Sequence, residues 1–342
     1  MKILSLFDGI SACQVALKNL GIKYHYYASE IDPYAIKITQ KNFPNTIQLG
    51  DVRNISFFRT NEMGVPCEYA TDDSLVIDKN DNICETYLGK IDLMCGGSPC
   101  QSFSISGNQK GFEDPRGQLF WEYVRILNEV KPKFFIFENV NSMKQRDKDI
   151  ISKAFGFEPV VLNSALVSAQ QRKRLFYVGK LQEDGTYAKV DISQPKDRGV
   201  LLKDILESGL PYQKKAHSLT ASYNGAVFWN SIEKKQRSMI AEPVRVGSLN
   251  KGGQGDRIYS IQGKSVCLSA NGGGRGAKTG LYKIDLPNGN YTIRKLTPNE
   301  CARLQGFPDN YHNGISNTQA YKCYGNSFTV PVIEHILKAI FI

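Results

Sequence analysis

No apolar run in the 342-residue chain approaches the roughly 20 residues that span a bilayer. The opening stretch MKILSLFDGIS has one Lys and about five apolar positions before Asp8, too few for a secretory core. A cytoplasmic protein with no membrane partner is expected. None of the eight cysteines, at 13, 67, 84, 95, 100, 267, 301 and 323, forms a C-x-x-C pair, and the four histidines are scattered at 25, 217, 312 and 335. No zinc spacing emerges, so no metal is expected, and most thiols read as small buried hydrophobes. A G-x-G-x-x-G fingerprint is also missing, which weakens a diphosphate-binding reading.

What is present is a globular composition with an uneven charge. Hydrophobic residues make up 41% and charged residues 22%, which argues against disorder. The length suits one large domain or two modest ones. Lys and Arg total 43 against 33 Asp and Glu, a net charge of +10. Residues 189–300 hold 18 Lys/Arg and 9 Asp/Glu, so +9 of the +10 lies in about a third of the chain. That segment reads either as a solvated basic face or as a polyanion-binding surface.

Up to about residue 185, strand-like and helix-like segments alternate, the pattern of an α/β fold with a parallel sheet covered by helices. Strands are predicted at 3–7, 24–29, 47–49, 91–95, 134–137, 159–162 and 175–178. Ser11 is placed as the N-cap of a helix running to about Leu20, Asp32-Pro33 starts a second, and a third covers about 117–130. Residues 56–90 are polar and break the rhythm; they read as a surface insertion in which DKND turns a small hairpin. Beyond 185 glycine becomes frequent and helical periodicity fades, which predicts a smaller, loop-rich, β-containing domain. The apolar stretch 330–342 is expected to return to the first domain. The expected division is 1–188 with 312–342 against 189–311.

Three predicted strand ends present Phe7-Asp8-Gly9, Glu30 and Asp51. Ligands of open α/β sheets bind beyond the carboxyl ends of the strands. Gly9 admits close backbone approach, Glu30 can accept from both ribose hydroxyls, and Asp51 can pair with an exocyclic amine. The set suits an adenosine-bearing ligand without a diphosphate, although strand-end carboxylates also serve as plain caps. Gly96-Gly97-Ser98-Pro99-Cys100-Gln101 places a cysteine on a Gly/Pro-rich turn above the sheet, either an attacking thiolate or an ordinary loop cysteine. Phe134 to Val140, FFIFENV, drives Glu138 out of an apolar strand, either as an acid for a ring nitrogen or as a capped strand end.

These residues resemble the DNA cytosine-5 methyltransferases over nearly the whole chain. FDGISA is similar to the family's first S-adenosylmethionine motif, and Glu30 and Gly50-Asp51-Val52 to its second and third. GGSPCQSFSISG resembles the catalytic Pro-Cys loop, FENV the Glu-Asn-Val motif, and Gln170-Gln171-Arg172-Lys173-Arg174 the Q-x-R-x-R motif. Arg294 to Pro308 resembles the motif that follows the target-recognition domain, and Tyr324-Gly325-Asn326-Ser327 the C-terminal Gly-Asn-Ser motif. Two departures stand out: Ser11 replaces a second glycine of many members, and the 56–90 insertion lengthens the link to the catalytic loop.

The resemblance implies a Rossmann-like S-adenosylmethionine-dependent methyltransferase sheet with a target-recognition domain. It further implies that Cys100 adds to C6 of a flipped-out cytosine, Glu138 meets N3 and the 4-amino group, and Arg172 meets O2, with Arg174 of the same motif also counted as catalytic. The base that removes the C5 proton is not identified. For the cofactor it implies Phe7, Asp8, Gly9, Glu30, Ile31 against the adenine face, Asp51, Val52, Pro99, Leu119, Asn326 and Ser327. Ile31 and Leu119 read equally as core residues on the sequence alone. For duplex DNA it implies Ser106, Lys110 and Arg116 in the catalytic loop and Gln254 in the basic domain. Arg257 is implied to read a guanine, its alternative being a pair with Asp256 or a phosphate. The loops around 252–260 and 268–274 resemble those of GCGC-specific members. A monomer within a bacterial or phage modification system, with a cognate endonuclease as a possible companion, is expected. RNA cytosine methylation and a catalytically silent DNA-binding relative are the alternatives.

Overall fold

A computed structural model of the chain describes residues 1–60, 73–78, 83–87, 90–99, 103, 111–207, 245–248, 257–260, 281–285, 291–294 and 296–342. In chain order the elements are β1 (Lys2–Leu6), α1 (Ala12–Asn19), β2 (His25–Ser29), α2 (Pro33–Asn42), β3 (Ile47–Gln48), β4 (Ile55–Thr60), β5 (Asp73–Asp78), β6 (Ile83–Tyr87) and β7 (Leu93–Gly96). Then come α3 (Pro115–Val130), β8 (Phe134–Val140), α4 (Gln145–Phe155), β9 (Val160–Asn163), β10 (Lys173–Leu181) and β11 (Tyr187–Lys189). The remainder is β12 (Arg245–Ser248), β13 (Arg257–Ser260), β14 (Leu281–Asp285), β15 (Tyr291–Arg294), α5 (Pro298–Gln305), α6 (Asn317–Asn326) and α7 (Val330–Phe341). No helix among the described residues is long and apolar enough to cross a membrane.

Contacts divide the chain into two compact units, one of 1–162, 173–194 and 334–342, the other of 163–172 and 195–333. The first is built on an eight-stranded sheet of order β11-β10-β8-β7-β1-β2-β3, with β9 also on β10. Strands β3, β2, β1, β7 and β8 run parallel, and β10 returns antiparallel to β8. Apolar runs such as KILSL and FFIFENV are buried along nearly their whole length, as strands covered on both faces require. Chain order reverses between β1 and β7: from β1 the chain proceeds to β2 and β3, and from β7 to β8 on the other side. The loops after β1 and β7 therefore flank the switch point where such sheets bind ligands. Gly96, at the end of β7, tolerates no side chain, because a Cβ would stand 2.2 Å from the Leu6 carbonyl oxygen.

Local capping explains most helix starts. The Asp32 carboxylate accepts from Tyr34 N at 2.9 Å with Pro33 in the first turn, and Asp114 accepts from Arg116 N at 2.9 Å ahead of Pro115. Ser11 differs from expectation. It sits at the head of α1 in a left-handed conformation, φ 58°, and caps no amide. Its hydroxyl donates to Asp8 Oδ2, shares a hydrogen bond with Thr39 Oγ1 at 3.0 Å and accepts from Gln14 Nε2 at 3.1 Å. With the backbone left-handed at this position, the acceptor side of the hydroxyl is taken by the Gln14 side-chain amide and not by a first-turn N–H.

The 56–90 insertion contains the hairpin that DKND predicted: β5 and β6 pair antiparallel around it, and β4 adds a third strand. Its root is tied to α3. Phe57 N donates to Glu129 Oε2 at 3.0 Å, and Arg125 Nη2 donates to the carbonyls of Val52 and Ile55 at 3.1 and 2.9 Å. The carboxyl half of α7 belongs to this unit. Asn19 Nδ2 donates to Glu334 Oε1 at 2.7 Å, and the Phe341 ring meets Phe134 at 5.4 Å.

In the second unit, β12 to β15 form a four-stranded sheet in sequence order, antiparallel except between β13 and β14. Helices α5 and α6 occur where helical periodicity had faded in the sequence. The first is started by a capping box: Thr297 Oγ1 accepts from Glu300 N at 3.2 Å, and Glu300 Oε2 accepts from Thr297 N at 2.8 Å. The compact units differ from the expected division at 163–172, 189–194 and 312–333. Hydrogen bonds explain the first difference: Ser168 Oγ and Gln170 Nε2 both donate to the Leu304 carbonyl, at 2.5 and 2.9 Å. Of the cysteines, those at 13, 95, 301 and 323 are buried and form no disulfide.

Candidate active site

The loop after β1 is organised by two carboxylates. Phe7 and Gly9 both hold positive φ, 55° and 61°. This kink turns Gly9 N onto Glu30 Oε2 at 2.7 Å, while Glu30 Oε1 accepts from the amides of Ile31 and Asp32, each at 2.8 Å. Three amides fix the direction of the Glu30 carboxylate beyond β2 and leave it acceptor capacity for an outside hydroxyl. Ile31, next in sequence, is 65% exposed, so it is no core residue. An apolar side chain left open beside an oriented carboxylate suits the face of a flat ring. Asp8 points the other way in chemical terms. Tyr26 OH donates to its Oδ1 at 2.8 Å and Ser11 to its Oδ2, yet burial outweighs both and pushes its pKa up to about 6.

Beyond β3, Asp51 caps the short turn 52–54, accepting from Arg53 N at 3.0 Å, and its carboxylate is gripped by the Arg53 guanidinium with Nη2–Oδ2 at 2.5 Å. The Arg53 hydrogen bond is the main reason that its pKa is lowered. Val52 is buried in the core and presents no open surface, while Leu119, in the second turn of α3, is half-buried against it.

Beyond β7 and β8 the geometry is tighter. Asn139, fully buried, donates from Nδ2 to Ser98 Oγ at 3.3 Å and accepts at Oδ1 from Val140 N at 2.8 Å. Ser98 is itself buried and Pro99 half-buried, so the turn leading to position 100 is moored to the end of β8. Beside it Glu138 forms an ion pair with Arg174 of the neighbouring antiparallel strand, Nε to Oε1 at 2.9 Å, with both side chains largely covered. Register explains the reach. Arg174 faces Val140 and Phe176 faces Glu138, so the guanidinium leans diagonally over one two-residue step. Cys100 itself lies outside the described residues.

The second unit holds the other end of the Q-x-R-x-R segment. Arg172 is 4% exposed, and its Nη2 donates to the carbonyls of Gly325 and Ser327 at 3.2 and 2.9 Å. Gln170 Nε2 donates to Gln305 Oε1 at 2.8 Å, an oxygen that also accepts from Thr329 Oγ1 at 2.8 Å, and Gln305 Nε2 donates to Tyr324 O at 2.6 Å. Asn326 is exposed at the carboxyl end of α6, while Ser327 is buried as its C-cap. This buried polar net fastens the Gly-Asn-Ser turn. Sequence reasoning missed Gln305 and Thr329, and also Asn139 and Ser98 as a moored pair, although each falls within or near a quoted motif.

Of the residues expected to meet DNA, Ser106, Lys110 and Gln254 lie outside the described residues, and Arg257 is described only as backbone at the start of β13. Arg116 is half-exposed, and its guanidinium pairs with Asp114, Nη2–Oδ2 at 2.7 Å and Nε–Oδ1 at 2.9 Å. Its fork is thus engaged at the head of α3.

The chain matches the family description "C-5 cytosine-specific DNA methylase" over residues 1–342. It is 34% identical to the type II methyltransferase M.HhaI of Haemophilus parahaemolyticus, across 98% of this chain and 93% of that one. It is 28% identical to the orphan methyltransferase M.SPRI of Bacillus phage SPR, across 99% and 97%. Among solved structures, the Entamoeba histolytica methyltransferase EhMeth superposes with a TM-score of 0.61 at 17% identity, covering 100% of this chain and 98% of that one. An Escherichia coli prophage structure described as a putative DNA modification methyltransferase gives 0.60 at 22%, with coverage of 100% and 98%. These two likenesses speak to the fold.

Proposed function

The chain belongs to the C-5 cytosine-specific DNA methylase family, and from that we propose that it transfers a methyl group from S-adenosylmethionine to C5 of a cytosine flipped out of a specific duplex DNA sequence. The observation that carries the reading is the Glu138–Arg174 pair at 2.9 Å, at the end of the strand whose Asn139 moors the turn into Cys100.

C5 of cytosine is a poor nucleophile until the ring is charged. In the proposed sequence the Cys100 thiolate adds to C6, and the electron pair of the C5–C6 bond becomes available at C5. Glu138 hydrogen-bonds the 4-amino group and N3, and Arg174 takes the O2 side, so the two together hold the charge that develops on the ring. The roles of the two arginines thereby part: Arg174 meets the base, and Arg172 holds the Gly-Asn-Ser turn through Gly325 and Ser327. S-adenosylmethionine supplies an electrophilic methyl on a sulfonium. Loss of the C5 proton to a base then expels Cys100 and restores the ring.

Phe7, Asp8, Gly9, Glu30 and Ile31 fit the nucleoside part of that cofactor: a three-amide-oriented carboxylate for ribose and an open apolar face for adenine. Asp51, Val52, Pro99, Leu119, Asn326 and Ser327 are proposed to complete the site. We assign catalysis to 1–188 with 312–342 and target recognition to the basic segment 189–311. There Gln254 and Arg257, with Ser106, Lys110 and Arg116 of the catalytic loop, contact DNA. Action as a cytoplasmic monomer within a modification system is part of the same proposal.

Bisulfite sequencing of DNA from cells expressing the chain tests the reading in one step. Protected cytosines in one sequence context, lost in Cys100→Ser, are expected; a label on an exocyclic nitrogen overturns it. A duplex carrying 5-fluorocytosine at the target is expected to trap the protein covalently, since fluorine cannot leave as a proton does.

A further inference from the structure

The chain on both sides of residues 104–111 is fastened by rings. Phe103, three positions past Cys100, is 1% exposed, and its centroid lies 5.1 Å from that of Phe112, edge to face at 71°. Phe112 also meets Phe120 at 5.6 Å and Trp121 at 5.9 Å, and Phe120 in turn meets Phe137 of β8 at 5.4 Å and Phe155 of α4 at 5.6 Å. Positions nine apart in sequence thus stand one ring contact apart, and that contact continues into the core beneath Glu138.

A second fastener lies next to Phe112. Gly111 holds φ +58°, and a Cβ there would stand 2.5 Å from Asp147 Oδ2 and 2.7 Å from Oδ1. Asp147, on α4, is 2% exposed, and its Oδ1 is a buried oxygen with no hydrogen-bond partner, the Arg146 Nε being 3.5 Å away. On the other side, a Cβ on Gly117 would stand 2.2 Å from the Gly111 carbonyl oxygen. A buried carboxylate lacking a full hydrogen-bond complement is costly, and this one walls one side of the Gly111 backbone.

We infer that Phe112, clasped to Phe103 and seated by the Gly111–Asp147 contact, is a positioning residue that fixes the direction from which Cys100 attacks the base. The inference rests on the methyltransferase reading. Phe103 is separated from the nucleophile by two residues of sequence, and in this inference that short link is the route by which the Phe112 ring acts on Cys100. Misplacement of a reacting atom by about 1 Å costs on the order of a hundredfold in rate. Phe112 touches neither base nor cofactor in this assignment; its effect passes through Phe103.

The test compares the full-length wild type with Phe112→Ala and Phe112→Leu on one methylatable duplex. Single-turnover methyl transfer, S-adenosylmethionine affinity, DNA affinity and the melting midpoint are measured. The expected result for Phe112→Ala is a tenfold to hundredfold slower transfer with cofactor affinity within twofold of wild type, and for Phe112→Leu recovery of most of that loss. Phe112→Ala transferring within twofold of an active wild type overturns the inference alone. So does a loss that merely follows falling cofactor affinity and melting midpoint, with Phe112→Leu no better. A wild type that methylates no cytosine overturns the functional reading, and the inference with it.

Discussion

Arg174 reaches diagonally across two antiparallel strands to the Glu138 carboxylate, Nε to Oε1 at 2.9 Å, whereas Arg172, two positions earlier in the same motif, donates to the carbonyls of Gly325 and Ser327. The motif thus splits into one arginine beside the proposed base pocket and one that holds backbone, and the two should fail differently.

Arg174→Lys keeps the charge and loses the planar fork. Methyl transfer is expected to fall by about a hundredfold or more, the scale of a lost preorganised donor, with the melting midpoint nearly unchanged. Arg172→Ala removes a buried guanidinium from two carbonyls, and about 2–4 kcal/mol of stability should go with it. Single-turnover assays paired with urea unfolding separate the two; equal losses of rate and stability in both variants would contradict the split.

How much of this was legible in the sequence depends on how local each signal is. The strand ends leading to Phe7-Asp8-Gly9, Glu30 and Pro99 were readable because an apolar run followed by Gly, Pro or a carboxylate marks a buried strand leaving the core, whereas β8 runs on through Glu138 to Val140, past the expected 134–137. The hairpin at DKND was readable for the same reason, being closed within a few residues. Helix α5 was missed although Thr297-Pro298-Asn299-Glu300 spells a capping box with Pro in the first turn, because the glycine-rich segment before it masked the change of period. The partners of Arg172, Gln170 and Asn139 were not readable at all. The long-range ones are 41 to 155 positions away, and only the folded chain brings them together. Ser11 does stand at the N-cap position, but its hydroxyl meets Asp8, Thr39 and Gln14 and no helix amide, a set of partners that the N-cap rule does not weigh.

Asp8 gives the fold a pH signature. Its folded pKa, about 6, lies above the ordinary 3.8, mainly through burial. Its stabilising contribution is therefore fully present below about pH 4 and is lost as the pH rises through 6. In Asp8→Asn the group no longer titrates. The unfolding free energy of wild type relative to Asp8→Asn is expected to drop by about 2 kcal/mol between pH 4 and 7.5. Urea titrations at several pH values would show it, and a flat difference would mean that the carboxyl is better solvated than its surroundings indicate.

Ile31 separates binding from folding. At 65% exposure its truncation leaves no cavity, so Ile31→Ala should change stability by less than about 0.5 kcal/mol. If the side chain covers the adenine ring, the same change removes about 1 kcal/mol of apolar burial from the complex, a roughly fivefold loss of S-adenosylmethionine affinity. Calorimetric titration alongside a thermal melt decides this. Unchanged affinity would put the adenine elsewhere.

Asn139 makes the most demanding prediction, because it holds the turn before the nucleophile without touching any reacting atom. Its Nδ2 reaches Ser98 Oγ at 3.3 Å and its Oδ1 accepts from Val140 N at 2.8 Å, so one amide joins the end of β8 to the Pro99 turn. Asn139→Asp keeps the acceptor for Val140 but places a buried carboxylate opposite Ser98, which can answer by turning its hydroxyl to donate. Asn139→Ala removes both of these bonds. Ala is therefore expected to slow covalent capture of a 5-fluorocytosine duplex by at least tenfold, at a stability cost of about 1–3 kcal/mol. Asp should retain the stability of the Val140 bond better than Ala yet still lose capture rate, because reversing the Ser98 bond shifts the turn. Capture by both variants at the wild-type rate would mean that the direction of Cys100 is set from its other side alone, through Phe103.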